Sequence, residues 1–135
     1  MSSSITRYLI LTYTAFLITG CEKSLAERHS SDLQIEYVSA TSELIEDGMV
    51  RIRVVVRNAK QGSEVLYFAN CAAARYAINR GFSFVRHVTS TLDYNLESKS
   101  AEAVYFVSAA LPVGFKKLDA EVVAVNCAEN GIPMV

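Results

Sequence analysis

The sequence predicts an α+β domain: a mostly antiparallel sheet of about four strands, one main helix on one face, and a short C-terminal helix. Three observations carry that expectation. Val50, Ile52, Val54 and Val56 alternate with polar neighbours at the two-residue period of a half-buried strand. The segment from Glu64 to Arg80 is rich in strong helix formers, among them Ala69, Ala72, Ala73, Ala74 and Ala77, and stops at Gly81. Further β-branched and aromatic alternation follows that stop, which is the order of a helix laid on a sheet.

The elements follow in order. Leu33-Gln34-Ile35-Glu36-Tyr37-Val38 alternates apolar and polar residues and reads as a first strand. Glu46-Asp47-Gly48 is a turn signal, so this strand and the one through Val50–Val56 form a hairpin. On the second strand Arg51, Arg53 and Arg57 share the face opposite the valines, with Val55 the exception. Residues 57–63 read as a loop, with Ser63 as helix N-cap and Glu64 at the positive end of the helix dipole. On the helical wheel Leu66, Ala69, Ala73 and Ala77 oppose Glu64, Arg75 and Asn79. Phe82–Val88 reads as a strand with Phe82, Phe84 and Val88 on one side and His87 on the other. Thr89 to about Ser100 reads as a polar loop, and Glu102–Ser108 as a strand with Val104 and Phe106 opposite Ala103, Tyr105 and Val107. Asp119 caps a last element to Asn130. Its caps indicate a helix, and Val122, Val123 and Val125 indicate a strand; the caps are given the greater weight.

The N-terminus carries a different pattern. Arg7 is the only charge before Cys21, and Tyr8–Leu17 is apolar apart from Thr12 and Thr14. The run is shorter than the roughly 20 residues a spanning helix needs, and it leads into small residues. This is the plan of an export signal. Ile18-Thr19-Gly20-Cys21 resembles a bacterial lipobox at all four positions. The resemblance implies a thioether-linked diacylglycerol on Cys21, removal of residues 1–20 and acylation of the new amino terminus. Several acyl chains on one residue make a lasting anchor, where one chain alone is marginal. The implied organisation is a signal peptide over 1–20, a lipidated Cys and polar tether over 21–32, and one α+β domain over 33–135. Glu22, not Asp, follows the cysteine. In the resemblance this implies the outer membrane, facing the periplasm.

The chain has 135 residues and a net charge of −1, near −2 once Arg7 is removed. Lys116-Lys117 is the only basic cluster, so no nucleic-acid partner is indicated. With Cys21 lipidated, Cys71 and Cys127 remain. Export places them where disulfides persist, and a bridge would close about 56 residues, worth roughly 4 kcal/mol on the chain-entropy model. Two buried, inert thiols are the alternative.

Cys71-Ala72-Ala73-Ala74-Arg75-Tyr76-Ala77-Ile78-Asn79-Arg80-Gly81-Phe82-Ser83-Phe84 resembles the core of small uncharacterised bacterial envelope lipoproteins, over roughly residues 48–130. The resemblance carries no assigned activity. A looser likeness to envelope-stress sensor lipoproteins matches no individual residues.

Chemical motifs are sparse. His29 and His87 show no metal-ligand spacing, and no Gly-rich phosphate loop or G-x-S-x-G occurs. A Cys71–His87 nucleophile pair is outweighed by oxidation or burial of Cys71. His87 reads as a surface or hydrogen-bonded histidine, and Asp93, Glu97 and Glu102 as residues of a solvated loop. The expectation is therefore a non-enzymatic envelope binding or adaptor domain, without cofactor or metal, held to the bilayer by Cys21 and facing an envelope protein partner. A stress sensor or assembly accessory is the alternative, and an enzyme the third. The candidate contact surface is Arg51, Arg53 and Arg57 with Asp93 and Tyr94; Tyr105 and Phe115 are further aromatic candidates whose ordinary use is core and rim packing.

Overall fold

The computed structural model describes residues 33–135; the signal, the lipobox and the tether lie outside the described residues. The element order is β1 (Glu36–Glu46), β2 (Met49–Arg57), α1 (Gly62–Asn79), β3 (Phe84–Tyr94), β4 (Ser98–Ser108), β5 (Lys117–Asp119) and α2 (Ala120–Glu129). The five strands form one antiparallel sheet in the order β1-β2-β4-β3-β5. The fold class is the one expected, with one strand more.

β2 lies inside the sheet, between β1 and β4, and behaves as its alternation dictates. Val50, Ile52, Val54 and Val56 are fully buried. Across from them on β4 stand Tyr105, Ala103, Ala101 and Lys99. Each fully buried Val or Ile contributes on the order of 1.5–3 kcal/mol.

α1 lies on this face. Val65, Phe68, Ala69, Ala72, Ala73 and Ala77 are buried, and Arg75 and Asn79 are exposed. Leu66, expected on the face that carries Ala69, Ala73 and Ala77, is only half-buried; Phe68 is buried instead, its ring 4.8 Å from that of Tyr37. The helix begins two residues before Glu64. Gln61, not Ser63, is the N-cap, in extended conformation. Glu64 reaches back and accepts from the Gln61 N–H at 3.1 Å and the Lys60 N–H at 2.6 Å. A carboxylate three residues into the helix thus supplies the cap that the serine hydroxyl was expected to give. Gly62 is there for space: a Cβ would stand 2.6 Å from the Tyr94 hydroxyl and 2.9 Å from Leu92 Cδ1. Gly81 closes the helix at φ +78°, the left-handed position that glycine adopts without penalty.

α2 is a helix. The Asp119 carboxylate accepts from Glu121 N–H at 3.0 Å and Val122 N–H at 3.1 Å. Cys127 is bonded to Cys71 on α1, with Cα atoms 6.1 Å apart.

Three strand readings change. β1 does not end at Val38 but runs to Glu46, with bulges at Val38 and Ile45. Residues 89–94, expected as loop, continue β3 and pair with β4 from Thr89↔Val104 to Tyr94↔Lys99. Hydroxyl-rich stretches such as Thr89-Ser90-Thr91 show no apolar period, yet Thr suits a strand once a neighbour supplies the ladder. Within β3 the inward side belongs to Val85, which is fully buried, and His87; a bulge at Val88 then resets the register. Phe84, half-buried, and Val88, exposed, lie outside that buried set. β5 has three residues and no period to read.

Cys71–Cys127 joins the two helices across a separation of 56 residues. The double variant Cys71→Ala/Cys127→Ala is expected to lose about 2–5 kcal/mol of unfolding free energy, measured in urea against the oxidised chain.

Candidate functional site

Both helices pack on one side of the sheet, and no helix among the described residues covers the other. Strand alternation assigns Arg51, Arg53 and Arg57 of β2 to this uncovered face, as expected. They do not form a bare basic surface. Arg51 lies 3.3 Å from Glu43 on β1 and 3.3 Å from Glu102 on β4. Arg53 lies 3.2 Å from Glu43 and 2.8 Å from Glu102. Arg57 lies 3.3 Å from Glu36. Two arginines and two carboxylates thus alternate across three strands. The Glu102 hydrogen bond, more than offsetting slight desolvation, holds the Arg53 guanidinium even more firmly protonated than usual. The charged side chains are 29–56% exposed. Such pairs are screened and fix register more than they add stability.

Glu102 is therefore a strand residue, as the Glu102–Ser108 strand reading has it, and its carboxylate belongs to an ion network instead of a solvated loop. Sequence reasoning missed Glu43 and Glu36 as counter-charges. Counting outward from the Asp47-Gly48 turn sets Leu44 opposite Arg51; the bulge at Ile45 shifts the register by one and brings Glu43 there instead, which no local pattern signals.

Asp93 shares the uncovered face, opposite Ser100, which in turn stands opposite Val55. Tyr94 points the other way, its hydroxyl against Gly62. The structure thus brings the arginines and Asp93 onto one face and separates Tyr94 from them. Tyr105 is fully buried and is not a contact residue; its hydroxyl donates to Asn70 Oδ1 at 2.6 Å. Burial pushes the Tyr105 phenol far above its ordinary range.

His87 lies on the helix side. Its ring meets Tyr105 edge-on at 5.4 Å between centroids. With Leu66, Asn70, Lys116 and Leu118 it lines a recess of about 320 Å³. Nδ1 is enclosed and has no hydrogen-bond partner, so His87 is neither a plain surface histidine nor one satisfied at both nitrogens. Burial, and then the positive charge of Lys116, lower its pKa below 6.5. Cys71 is fully buried and its sulfur is committed to Cys127, which leaves no thiolate for a Cys71–His87 pair. Among the described residues no group of three or more His, Cys, Asp or Glu is placed to hold a metal ion.

A further open feature is the outer edge of β1. It is the first strand of the sheet order, and among the described residues no strand pairs with its far side. Val38, Leu44 and Ile45 are exposed along it. Beside it Ser42, Arg75, Tyr76, Asn79 and Arg80 line a polar recess of about 460 Å³, with the Arg80 guanidinium 4.8 Å from the Tyr76 ring centroid.

A family model described as the YNQ4 C-terminal domain matches residues 37–131. No curated protein and no solved structure matches the chain.

Two measurements test this electrostatic account. Replacing Glu102→Arg sets three guanidinium groups in one row. It is expected to lower the melting temperature at low ionic strength, with most of the loss recovered in 1 M salt, where the screening length falls to about 3 Å. For His87, the unfolded chain takes up a proton near pH 6.5 while the folded chain still resists it. The unfolded state then binds more protons, so stability falls as pH drops below 6.5. His87→Asn is expected to flatten that part of the pH profile, and the His87 ring signals in NMR are expected to titrate below 6.5.

Proposed function

The chain belongs to the YNQ4 C-terminal domain family, and we propose, on the features of this chain itself, that it is a lipid-anchored, non-enzymatic envelope domain that holds a protein partner along its sheet edge. The observation that carries this reading is the open edge of β1. An unpaired strand edge offers a row of main-chain donors and acceptors, and an extended partner segment completes the ladder. Val38, Leu44 and Ile45 supply apolar contacts along that edge. The recess with Arg75 and Arg80 beside it supplies donors for acidic or carbonyl groups of the incoming chain.

Two features support the location. Ile18-Thr19-Gly20-Cys21 follows an apolar run of export-signal length, and the Cys71–Cys127 disulfide suits an oxidising compartment. On this reading acylated Cys21 holds the domain to the outer membrane on its periplasmic side. The ion network of the uncovered face then keeps the sheet soluble and discourages indiscriminate face-to-face association.

The two parts are tested separately. Protein from the native host's membranes is expected to have the mass of a chain beginning at an acylated Cys21; a free thiol with the leader retained overturns the anchor. Photo-crosslinkers placed in intact cells at Leu44, on β1, and at Val125, exposed on α2, are expected to give a discrete protein adduct from Leu44 alone. Adducts equal from both positions, or absent from both, overturn the edge as the docking site.

A further inference from the structure

The connection between β4 and β5 presents apolar side chains to water in a way that neither the core nor the ion network explains. Leu111 is 63% exposed, and Val113 and Phe115 are each 93% exposed, while Pro112 between them is buried. Large apolar groups grouped in this way on a surface mark a contact with another phase or molecule. The loop is built on fixed roots. Ser108 Oγ donates to Ala110 O at 2.5 Å, and the His87 N–H donates to Lys116 O at 3.2 Å. Phe115 sits between two residues of positive φ, Gly114 at +114° and Lys116 at +56°. A lysine in the left-handed region is uncommon, and such strain persists where the surroundings enforce it, often at functional positions.

The charges around this tip have one sign. Lys116 and Lys117 follow Phe115 directly. Arg86 pairs with Lys117 in the β3–β5 register, and its Cδ lies 3.3 Å from where a Gly114 Cβ would stand. Among the described residues none of the three has a carboxylate partner. Asp119, the nearest acidic group in sequence, is engaged in capping α2. The contrast with Arg51, Arg53 and Arg57, each matched to a glutamate, is direct.

We propose that residues 111–117 form a membrane-contact loop, in which Leu111, Val113 and Phe115 enter the headgroup–acyl boundary of a bilayer and Arg86, Lys116 and Lys117 meet anionic lipid headgroups. An apolar tip with a basic collar matches the two attractions of such a surface: apolar burial at the interface and attraction to anionic lipid. A protruding tip suits a deformable bilayer, whereas a rigid protein partner would have to supply a matching hollow. The inference shares with the envelope reading only the presence of a bilayer, so the two can fail separately.

The chain contains no tryptophan, so one introduced residue reports alone. Full-length Phe115→Trp is mixed with vesicles of phosphatidylcholine, with and without phosphatidylglycerol, carrying brominated acyl chains. Blue-shifted and strongly quenched emission is expected with the anionic vesicles. Leu96→Trp is the control, since Leu96 is fully exposed in the β3–β4 turn at the opposite end of the sheet; it is expected to stay unquenched. Adding Lys116→Glu and Lys117→Glu to Phe115→Trp is expected to weaken vesicle binding through the loop by at least about tenfold, as two surface lysines warrant. Residue 115 unquenched while the protein co-sediments through its acyl chains overturns the loop and leaves the anchor standing. Equal quenching at 96 and 115, or no effect of lipid charge, also overturns it. Quenching at 115 in protein whose Cys21 is unmodified supports the loop independently of the anchor.

Discussion

The close seating of α1 on β2 and β4 is the contact on which the rest of the domain depends. Alanines at 69, 73 and 77, all fully buried, let the helix backbone approach the sheet, and Val50, Ile52, Val54 and Val56 fill the space beneath. Interiors are packed to crystal-like density, so larger side chains at these alanines would push the layers apart. Gly62 and Glu64 set where the helix begins, and Gly81 sets where it stops, so that β3 re-enters the sheet beside β4. The Cys71–Cys127 bond extends the same logic to α2. A ten-residue helix with little apolar face of its own is held by a covalent tie and by Val123 and Ala120 against the core.

Because both described helices lie on one side of the sheet, the described domain handles its other surfaces by electrostatics. The uncovered face balances Arg51, Arg53 and Arg57 against Glu36, Glu43 and Glu102. The loop of 111–117 does the opposite, gathering unmatched cations around apolar tips. The edge of β1 leaves main-chain groups unpaired, interrupted by two bulges and flanked by glutamates. These are three chemically different surfaces on one small sheet.

Much of this was legible residue by residue. The β1–β2 turn at Asp47-Gly48, the buried and charged sides of β2, the Gly81 stop and the Asp119 cap were all open to local rules of period and capping, whereas Cys71 and Cys127 left a bridge and two buried thiols equally open until the helices were placed. The extensions of β1 and β3 were not legible in this way. Ser39–Ser42 and Thr89–Thr91 carry hydroxyls without apolar alternation, and they are strands because β2 and β4 supply the ladder. The candidate contact surface divided for a similar reason: Asp93 and Tyr94 are adjacent in sequence, and the pleat sends them to opposite faces.

The sequence by itself determined the α+β class, the helix boundaries to within two residues and the inward face of β2, because each rests on interactions within a few positions along the chain. Tertiary structure alone decided which carboxylates answer the arginines, that His87 turns inward against Tyr105, and that a tripeptide, Lys117–Asp119, becomes a fifth strand. Those outcomes depend on registers between distant segments, where a single bulge at Val88 reverses which side chains are buried.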